Sequence, residues 1–378
     1  MSYSMNDQDW LSHRTITQIG KYQLDRGGLS PDTLLALFRQ MQRLRRIEEA
    51  LIREYHPADE MRCPIHFCIG QEAAPAALSL LLRPKDYLFS HHRSHGYYFA
   101  KNAPLRELFA EIYGKESGAN GGKAGSQDIS HAASRFYSGA ILAGAVSIAA
   151  GAAFAVQHKR MDSVVISGFG EGATDEGAFW EVVNFAGLKK LPLVLVCENN
   201  RYATFSDQLK RQVSDNVCER VRTFGISAVR IFGNDVVRVY KTLKSAIEHA
   251  RGGEGAVLVE AYTYRWNSHV GPEDDSINHY RSDEEMRFWK ANCPIHLLQE
   301  FLGKTGDLSA EFQERIEKEI AEEIAGYFAF AKSARLPISS DWRQANWNES
   351  SPVADQLLGT AEESHFDHSQ AEARLEPY

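Results

Sequence analysis

Two apolar segments, each followed by glycine or polar residues, constrain the fold of this chain more than any other feature. Residues 163–167 lead into the triplet Gly170-Glu171-Gly172, and residues 191–197 lead into the pair Asn199-Asn200. The stretch between them, residues 175–190, has the pattern of a helix. Strand, glycine-rich turn, helix and strand make a βαβ unit, and open α/β sheets bind their ligands at the carboxyl ends of such strands.

The residues at these two strand ends predict the kind of ligand. A glycine-rich turn that opens a helix directs backbone N–H groups at an anion. Glu171 and Asn200 add a carboxylate oxygen and an amide oxygen from neighbouring strand ends. Such hard oxygen ligands, with room for phosphate oxygens and water, suit Mg²⁺. The sequence therefore predicts a cradle for a magnesium diphosphate.

The rest of the chain continues the alternation of strands and helices. Helices are predicted near residues 34–52, 72–82, 214–222 and 236–251, and strands over 228–232 and 256–264. This order is typical of an α/β fold with a parallel sheet and helices on both faces. We predict an N-terminal arm over residues 1–30, the α/β diphosphate-binding domain over 31–295, a C-terminal helical region over 296–336 and a polar tail over 337–378.

The longest apolar run covers residues 140–156 and is rich in Ala and Gly. It has 17 residues, fewer than the roughly 20 strongly apolar residues of a membrane span. We predict a buried helix preceded by a turn that contacts a cofactor. No membrane span and no signal peptide are expected.

The overall charge and the cysteines limit the partners and the compartment. The formal charge of −8 in 378 residues argues against nucleic acid or an anionic membrane as the main partner. Five scattered cysteines indicate reduced thiols and a cytoplasmic location. Cys63, His66 and Cys68 lie close in sequence, but no second pair of ligands follows, so a zinc site is not expected.

The glycine triplet and the asparagine pair together resemble the thiamine diphosphate fingerprint, in which about 30 residues separate the two motifs. Asn200 lies 29 residues after Glu171. From residue 34 to residue 295 the chain is similar to the alpha subunit of the first component of 2-oxo acid dehydrogenases, the family of the pyruvate, branched-chain and acetoin enzymes. Seven stretches in the family's order carry the resemblance: Arg45-Arg46-Ile47-Glu48-Glu49, Gly70-Gln71-Glu72-Ala73, His92-Arg93-Ser94-His95-Gly96, Gly170 to Gly177, Glu198 to Tyr202, Gly233-Asn234-Asp235, and Tyr264-Arg265 with His269.

This resemblance implies roles for twelve residues around thiamine diphosphate and Mg²⁺. It places the metal on Glu171, the Asn200 side chain and the Tyr202 carbonyl. It places the diphosphate on the backbone of Gly170, Gly172 and Ala173 and on the side chains of Arg93 and His269. The aminopyrimidine ring would contact the backbone of Ala140 and Leu142, with His92 in the cofactor pocket and His66 at the reacting centre. His66, His269 and Arg93 are the predicted catalytic residues. Histidine suits proton transfer because its unperturbed pKa of about 6.5 is close to working pH.

The resemblance also implies the reaction and the partners. The chain would decarboxylate a small 2-oxo acid and pass the acyl unit to a lipoyl group on an acyltransferase. A beta subunit would supply the pyrimidine-binding domain and the glutamate that activates the cofactor, in an alpha2-beta2 heterotetramer. The main alternative within this class is transfer of the acyl or hydroxyalkyl unit to a carrier protein, a sugar or an aldehyde.

Two readings outside this class remain open. Residues 168–173 match the G-x-G-x-x-A pattern of nicotinamide-binding Rossmann enzymes. However, Glu198 lies 25 residues after Ala173, whereas the ribose-binding acid is expected about 20 residues on, and the asparagine pair has no role in that reading. A non-catalytic paralogue that only scaffolds a partner is the other alternative.

The chain departs from the family pattern mainly near the expected substrate pocket. Glu171 stands where most thiamine enzymes have Asp, and the branched-chain type also has Glu there. The other departures are His92 for Tyr, Asn267 for His, Gln127-Asp128 for Met-His, Ser147 for Pro, and Val270 for the phosphorylatable Ser of mitochondrial members.

Overall fold

A seven-stranded sheet organises the part of the chain that the structure, a computed structural model, describes: residues 12, 15–55, 60, 61, 63–274 and 279–338. Its strands are β1 (Tyr87–Ser90), β2 (Ser130–His131), β3 (Phe136–Ser138), β4 (Val165–Gly170), β5 (Leu193–Asn199), β8 (Ser227–Phe232) and β9 (Val257–Tyr262), and β6 (Tyr202–Ala203) and β7 (Ser206–Asp207) form a separate hairpin. The spatial order is β2-β3-β1-β4-β5-β9-β8. Every pair is parallel except β2 with β3, which confirms the predicted α/β class.

Helices cover both faces of this sheet. They are α1 (Pro31–Tyr55), α2 (Ala73–Leu81), α3 (His95–Ala100), α4 (Leu105–Ile112), α5 (Gly144–His158), α6 (Gly177–Lys189), α7 (Val217–Arg222), α8 (Val236–Arg251), α9 (Asp283–Ala291), α10 (Pro294–Thr305) and α11 (Ala310–Ser333). None of the described helices combines the length and hydrophobicity that crossing a bilayer requires.

Successive side chains of the central strands enter two different cores because strand side chains alternate between faces. Ile166 packs with α1, α2 and α8 on one face, whereas Val165 packs with α5 and α6 on the other. Along β5, Val194 and Leu195 divide in the same way. Burial on both faces explains why these strands read as continuous apolar runs.

Helix α5 follows a turn at the start of the apolar run, but it is not buried on all sides as predicted. It begins at Gly144, and one face is open: Ile148 is 65% exposed and Phe154 is 42% exposed. Ala149 and Ala153 lie against the sheet and α6. Small side chains therefore line the inner face, while the larger apolar ones point away from the core.

The N-terminal residues that the structure describes are anchored to the rest of the molecule. Ile16 is buried, the Tyr22 N–H donates to Asn292 Oδ1 at 2.7 Å, and the Tyr22 hydroxyl donates to Asp235 Oδ2 at 2.9 Å. At the other end, Arg43 and Arg46 of α1 pair with Glu323 and Glu317 of α11. The division of the chain at residues 30 and 295 stays a prediction, and the predicted tail lies outside the described residues after residue 338.

Candidate functional site

A cavity of about 220 Å³ opens at the carboxyl ends of β4 and β5. All twelve residues named from the sequence line it: His66, His92, Arg93, Ala140, Leu142, Gly170, Glu171, Gly172, Ala173, Asn200, Tyr202 and His269. The register explains how the two motifs meet, because Gly170 pairs with Glu198 across adjacent parallel strands. The structure therefore brings the predicted residues together, and their individual roles remain predictions.

Glu171 begins a short 3-10 turn, Glu171–Asp175, that directly follows β4. Its carboxylate is almost fully buried, and Oε1 accepts a hydrogen bond from Arg211 Nη2 at 2.7 Å. Burial raises the pKa of Glu171 to about 7, although the Arg211 guanidinium opposes this shift. A second cation at this carboxylate would favour its charged form further.

The two asparagines after β5 have different environments. Asn199 is fully buried, and its Nδ2 donates to Glu260 Oε1 at 2.7 Å and to Gln208 Oε1 at 3.0 Å. Asn200 lines the cavity, and its Oδ1 accepts from the Tyr202 N–H at 3.2 Å. The first asparagine therefore fixes the loop, and the second faces the cavity.

The two glycines that flank Glu171 have different surroundings. A Cβ on Gly172 would lie 3.0 Å from the Ala203 Cβ, whereas a Cβ on Gly170 would meet nothing within 4 Å. Gly172 thus lets the turn pack closely against β6, whereas a side chain at position 170 would meet open space.

Three histidines lie together at the cavity wall. The ring centroids of His66 and His92 are 4.5 Å apart, those of His66 and His269 are 4.9 Å apart, and those of His92 and His269 are 5.2 Å apart. Burial, reinforced by the Arg93 guanidinium, lowers the pKa of His66 to about 2. Burial and the neighbouring His91 hold the pKa of His92 well below its usual range. Both imidazoles are therefore neutral at physiological pH, and His66 Nδ1 is a buried atom with no hydrogen-bond partner among the described residues.

Arg93 joins two loops that are far apart in sequence. Its Nη1 donates to the Phe67 carbonyl at 2.5 Å, and its Nη2 donates to the His269 carbonyl at 3.3 Å. Burial lowers its pKa to about 10, which still leaves a cation at neutral pH. Arg93 consequently holds the loops that carry His66 and His269 and also supplies positive charge to the cavity.

The loop before α5 forms the outer rim of the cavity. The Ala140 N–H donates to Asp128 Oδ1 at 2.9 Å, so the aspartate that departs from the family pattern shapes this rim. Ile141 and Leu142 are 78% and 47% exposed. Exposed apolar residues at the rim of a cavity are typical of a surface that a partner covers.

A buried carboxylate orders the glycine-rich loop between α4 and β2. Glu111 accepts four backbone hydrogen bonds: Oε2 from Asn120 at 2.8 Å and Gly122 at 2.9 Å, and Oε1 from Ala124 at 2.7 Å and Gly125 at 3.2 Å. Gln127, near the end of the loop, lines the cavity. This loop therefore has a fixed conformation in the structure.

Sequence reasoning gave no role to Arg211 or Gln71. Arg211 lies 40 residues after Glu171 in an irregular segment, and no local pattern predicts their ion pair. Gln71 belongs to the quoted stretch Gly70-Gln71-Glu72-Ala73, and its Oε1 lies 3.5 Å from Asn200 Nδ2. Gln71 could have been named as a site residue, because it is a polar side chain within a stretch that carries the family resemblance.

The residues present fit a magnesium diphosphate. Glu171, Asn200 and Tyr202 offer oxygens around one cavity, which is the donor set that Mg²⁺ prefers. Arg93 adds a permanent cation suited to phosphate oxygens. Cys63 and Cys68 do not join the group of ligand nitrogens of His66, His92 and His269, which lie within 4.8 Å of one another.

Comparison with known proteins identifies the family. The family model described as dehydrogenase E1 component matches residues 39–339. The pyruvate dehydrogenase E1 component subunit alpha of Porphyra purpurea is 30% identical over 324 residues, covering 84% of this chain and 93% of the relative. That of Rhizobium meliloti (strain 1021) is 31% identical over 308 residues, covering 81% and 88%. The somatic mitochondrial form of Homo sapiens is 32% identical over 305 residues, covering 80% and 76%. The chain therefore belongs to the dehydrogenase E1 component family.

Proposed function

We propose that this chain is the alpha subunit of a thiamine diphosphate-dependent 2-oxo acid dehydrogenase. It decarboxylates a 2-oxo acid and passes the acyl unit to a lipoyl group, together with a beta subunit. The observation that carries the proposal is the meeting of Glu171 and Asn200, from adjacent strand ends, at one cavity with His66, Arg93 and His269. Membership of the dehydrogenase E1 component family supports it independently.

Mg²⁺ would be held by the Glu171 carboxylate, the Asn200 side chain and the Tyr202 carbonyl. The backbone of Gly170, Gly172 and Ala173 would line the diphosphate. When bound, thiamine diphosphate supplies the ylid and the electron sink for decarboxylation. The chain's own part is to neutralise the diphosphate, to orient the ring and to move protons at the cavity wall.

The neutral histidines are suited to hydrogen bonding at the reacting centre. A neutral imidazole has one nitrogen that donates and one that accepts. Burial lowers the pKa values of His66 and His92, so both are weak bases that orient a substrate rather than take up its proton. The His269 ring packs against that of His66, and its backbone carbonyl accepts from Arg93. We assign proton transfer to His269, hydrogen bonding to His66 and His92, and positioning of the loops and charge balance to Arg93.

The beta subunit is proposed to cover the open face of α5 and the rim beside the cavity. Ile141, Ile148 and Phe154 expose apolar surface there, and a groove lined by Tyr87, Phe89 and Tyr137 lies beside it. Contiguous exposed apolar surface marks interaction sites. An alpha2-beta2 heterotetramer is the proposed assembly, and its acceptor partner is an acyltransferase that carries the lipoyl group.

The compartment that we propose is the cytoplasm. All five cysteines are free thiols, as expected for a reducing environment.

Neither the nicotinamide alternative nor the scaffold alternative gains support from the structure. Glu198, the candidate ribose ligand, is buried beneath the strand end and has His91 Nε2 3.7 Å from its Oε2.

Calorimetric binding of thiamine diphosphate to the assembled enzyme tests the proposal. Wild-type enzyme should bind the cofactor only when Mg²⁺ is present, and Glu171→Ala should abolish this binding. Glu176→Ala is the matched control, because Glu176 is an exposed carboxylate five residues away. Unchanged affinity in Glu171→Ala would contradict the metal assignment. Failure of the wild-type pair to acylate a lipoyl domain with any 2-oxo acid would contradict the reaction.

A further inference from the structure

The guanidinium of Arg211 contacts the carboxylate that we assign to the metal. Its Nη2 donates to Glu171 Oε1 at 2.7 Å, and its Nη1 pairs with Asp175. The side chains of Arg211 and Glu171 are 16% and 2% exposed. The contact is thus a largely buried ion pair, in which both partners have fixed positions.

Further hydrogen bonds hold the Arg211 segment against the Glu171 turn. Arg211 Nε donates to the Ser206 carbonyl at 3.3 Å, and Gln212 Nε2 donates to Thr174 Oγ1 at 2.8 Å. Thr174 Oγ1 donates in turn to the Glu171 carbonyl at 2.7 Å. Residues 206–212 therefore contact the side chains of the turn, and Thr174 links this contact to the backbone of Glu171.

We propose that Arg211 is a positioning residue, which holds Glu171 in the orientation that a metal ligand needs. The inference rests on the proposed function, since it takes Glu171 as the Mg²⁺ carboxylate. Arg211 engages Oε1, which leaves Oε2 for the ion. Partners that orient metal ligands typically contribute about 10- to 100-fold to metal affinity.

The length of Glu171 explains why such a partner is needed. Glutamate has one more rotatable bond than the aspartate found in most thiamine enzymes, so its carboxylate has more orientations to lose when it binds an ion. The planar fork of Arg211 restricts these orientations before the ion arrives. Asp175 pairs with the same guanidinium. When both carboxylates are ionised, as Mg²⁺ binding requires, Glu171, Asp175 and Arg211 together keep one net negative charge, as a lone carboxylate would. Arg211 therefore does not cancel the attraction for Mg²⁺.

Thiamine diphosphate binding to the assembled enzyme, measured calorimetrically over a series of MgCl2 concentrations, tests this role. In Arg211→Gln the Mg²⁺ concentration at half-maximal binding should rise about 10- to 100-fold. At saturating Mg²⁺ the affinity for thiamine diphosphate should return to the wild-type value. Arg211→Lys keeps the charge but not the planar guanidinium, and should give a smaller rise in the Mg²⁺ concentration at half-maximal binding. Lys210→Gln removes a neighbouring exposed cation and should change nothing.

Three results would overturn the inference. If Arg211→Gln and Arg211→Lys both match the wild type, Arg211 does not position Glu171. If either binds Mg²⁺ more tightly, Arg211 competes with the ion instead. If cofactor affinity stays low at saturating Mg²⁺ and the unfolding temperature falls as well, the role is only structural. Wild-type binding that needs no Mg²⁺ would instead refute the proposed metal site, which separates the failure of the proposed function from the failure of this inference.

Discussion

Glu171 is expected to make the stability of the chain depend on pH when no metal or cofactor is bound. Burial raises its pKa to about 7, from 4.5 for an unperturbed glutamate. The folded chain therefore binds this proton more tightly than the unfolded chain. The stabilising contribution is complete below pH 4.5 and is lost as the pH rises through 7. At 1.36 kcal/mol per pH unit, the whole effect is about 3 kcal/mol.

Glu171→Gln isolates this contribution, because glutamine keeps the shape of the protonated acid and does not titrate. Urea unfolding of the two proteins should be compared at intervals from about pH 5.5 to about pH 8 in a metal chelator. Across this range the free energy of unfolding of the wild type should fall by about 2 kcal/mol relative to the variant. The test uses the difference between the two free energies of unfolding, because other buried groups titrate in both proteins and cancel.

If Glu171 holds Mg²⁺ as proposed, the same proton opposes metal binding. Mg²⁺ needs the ionised carboxylate, so the Mg²⁺ affinity in the presence of thiamine diphosphate should fall by about tenfold for each pH unit below 7. Calorimetry in buffers of different ionisation enthalpy should detect the released proton. Parallel stability profiles for wild type and Glu171→Gln, together with a Mg²⁺ affinity that is constant from about pH 6 to about pH 8, would refute the reasoning.

The remaining predictions concern the histidines, the glycine-rich loop and the apolar face of α5. His269→Ala should lower turnover by about 100-fold or more through lost proton transfer with no change in unfolding temperature, and a wild-type rate would remove His269 from the site. Glu111→Gln should lower the free energy of unfolding by about 2–4 kcal/mol, because charged hydrogen bonds to backbone N–H groups are lost; an unchanged unfolding temperature would contradict the role of the carboxylate in ordering the loop. Ile148→Asp should weaken association with the beta subunit by tenfold or more in sedimentation experiments, since it places a charge in an apolar interface. The control for Ile148→Asp is Lys244→Asp, which lies on α8 at the opposite face of the sheet. Equal association of both variants with the beta subunit would place the interface elsewhere.

The regular elements could be predicted because their residues obey simple periodicities. The helix over residues 236–251 was predicted with the bounds that α8 has, since Asp235 caps it through its side chain at the Arg238 N–H. The predicted strand began at residue 163, whereas β4 begins two residues later, at Val165. Apolar residues continue on both sides of the true strand start, so the hydrophobic pattern alone does not mark it.

The meeting of Glu171 and Asn200 could be predicted from the sequence pattern, because parallel strands bring their carboxyl ends to one edge. His66, Arg93 and His269 were expected there only because the chain resembles a known family. The Arg211 contact could not be predicted, since it depends on how an irregular segment folds back over 40 residues. The exposed face of α5 was missed for a different reason. Its apolar residues have the composition of a core, and only the tertiary structure shows that no described element of this chain covers Ile148.

The bonds that Arg93 makes to the backbone separate the framework of the cavity from its lining. The guanidinium holds the Phe67 and His269 carbonyls, which remain in place whatever side chains those positions carry. The ring at position 92 can therefore be exchanged without moving either loop. Substitutions of single side chains could then change which 2-oxo acid the cavity accepts, while the contacts proposed for the cofactor diphosphate are retained.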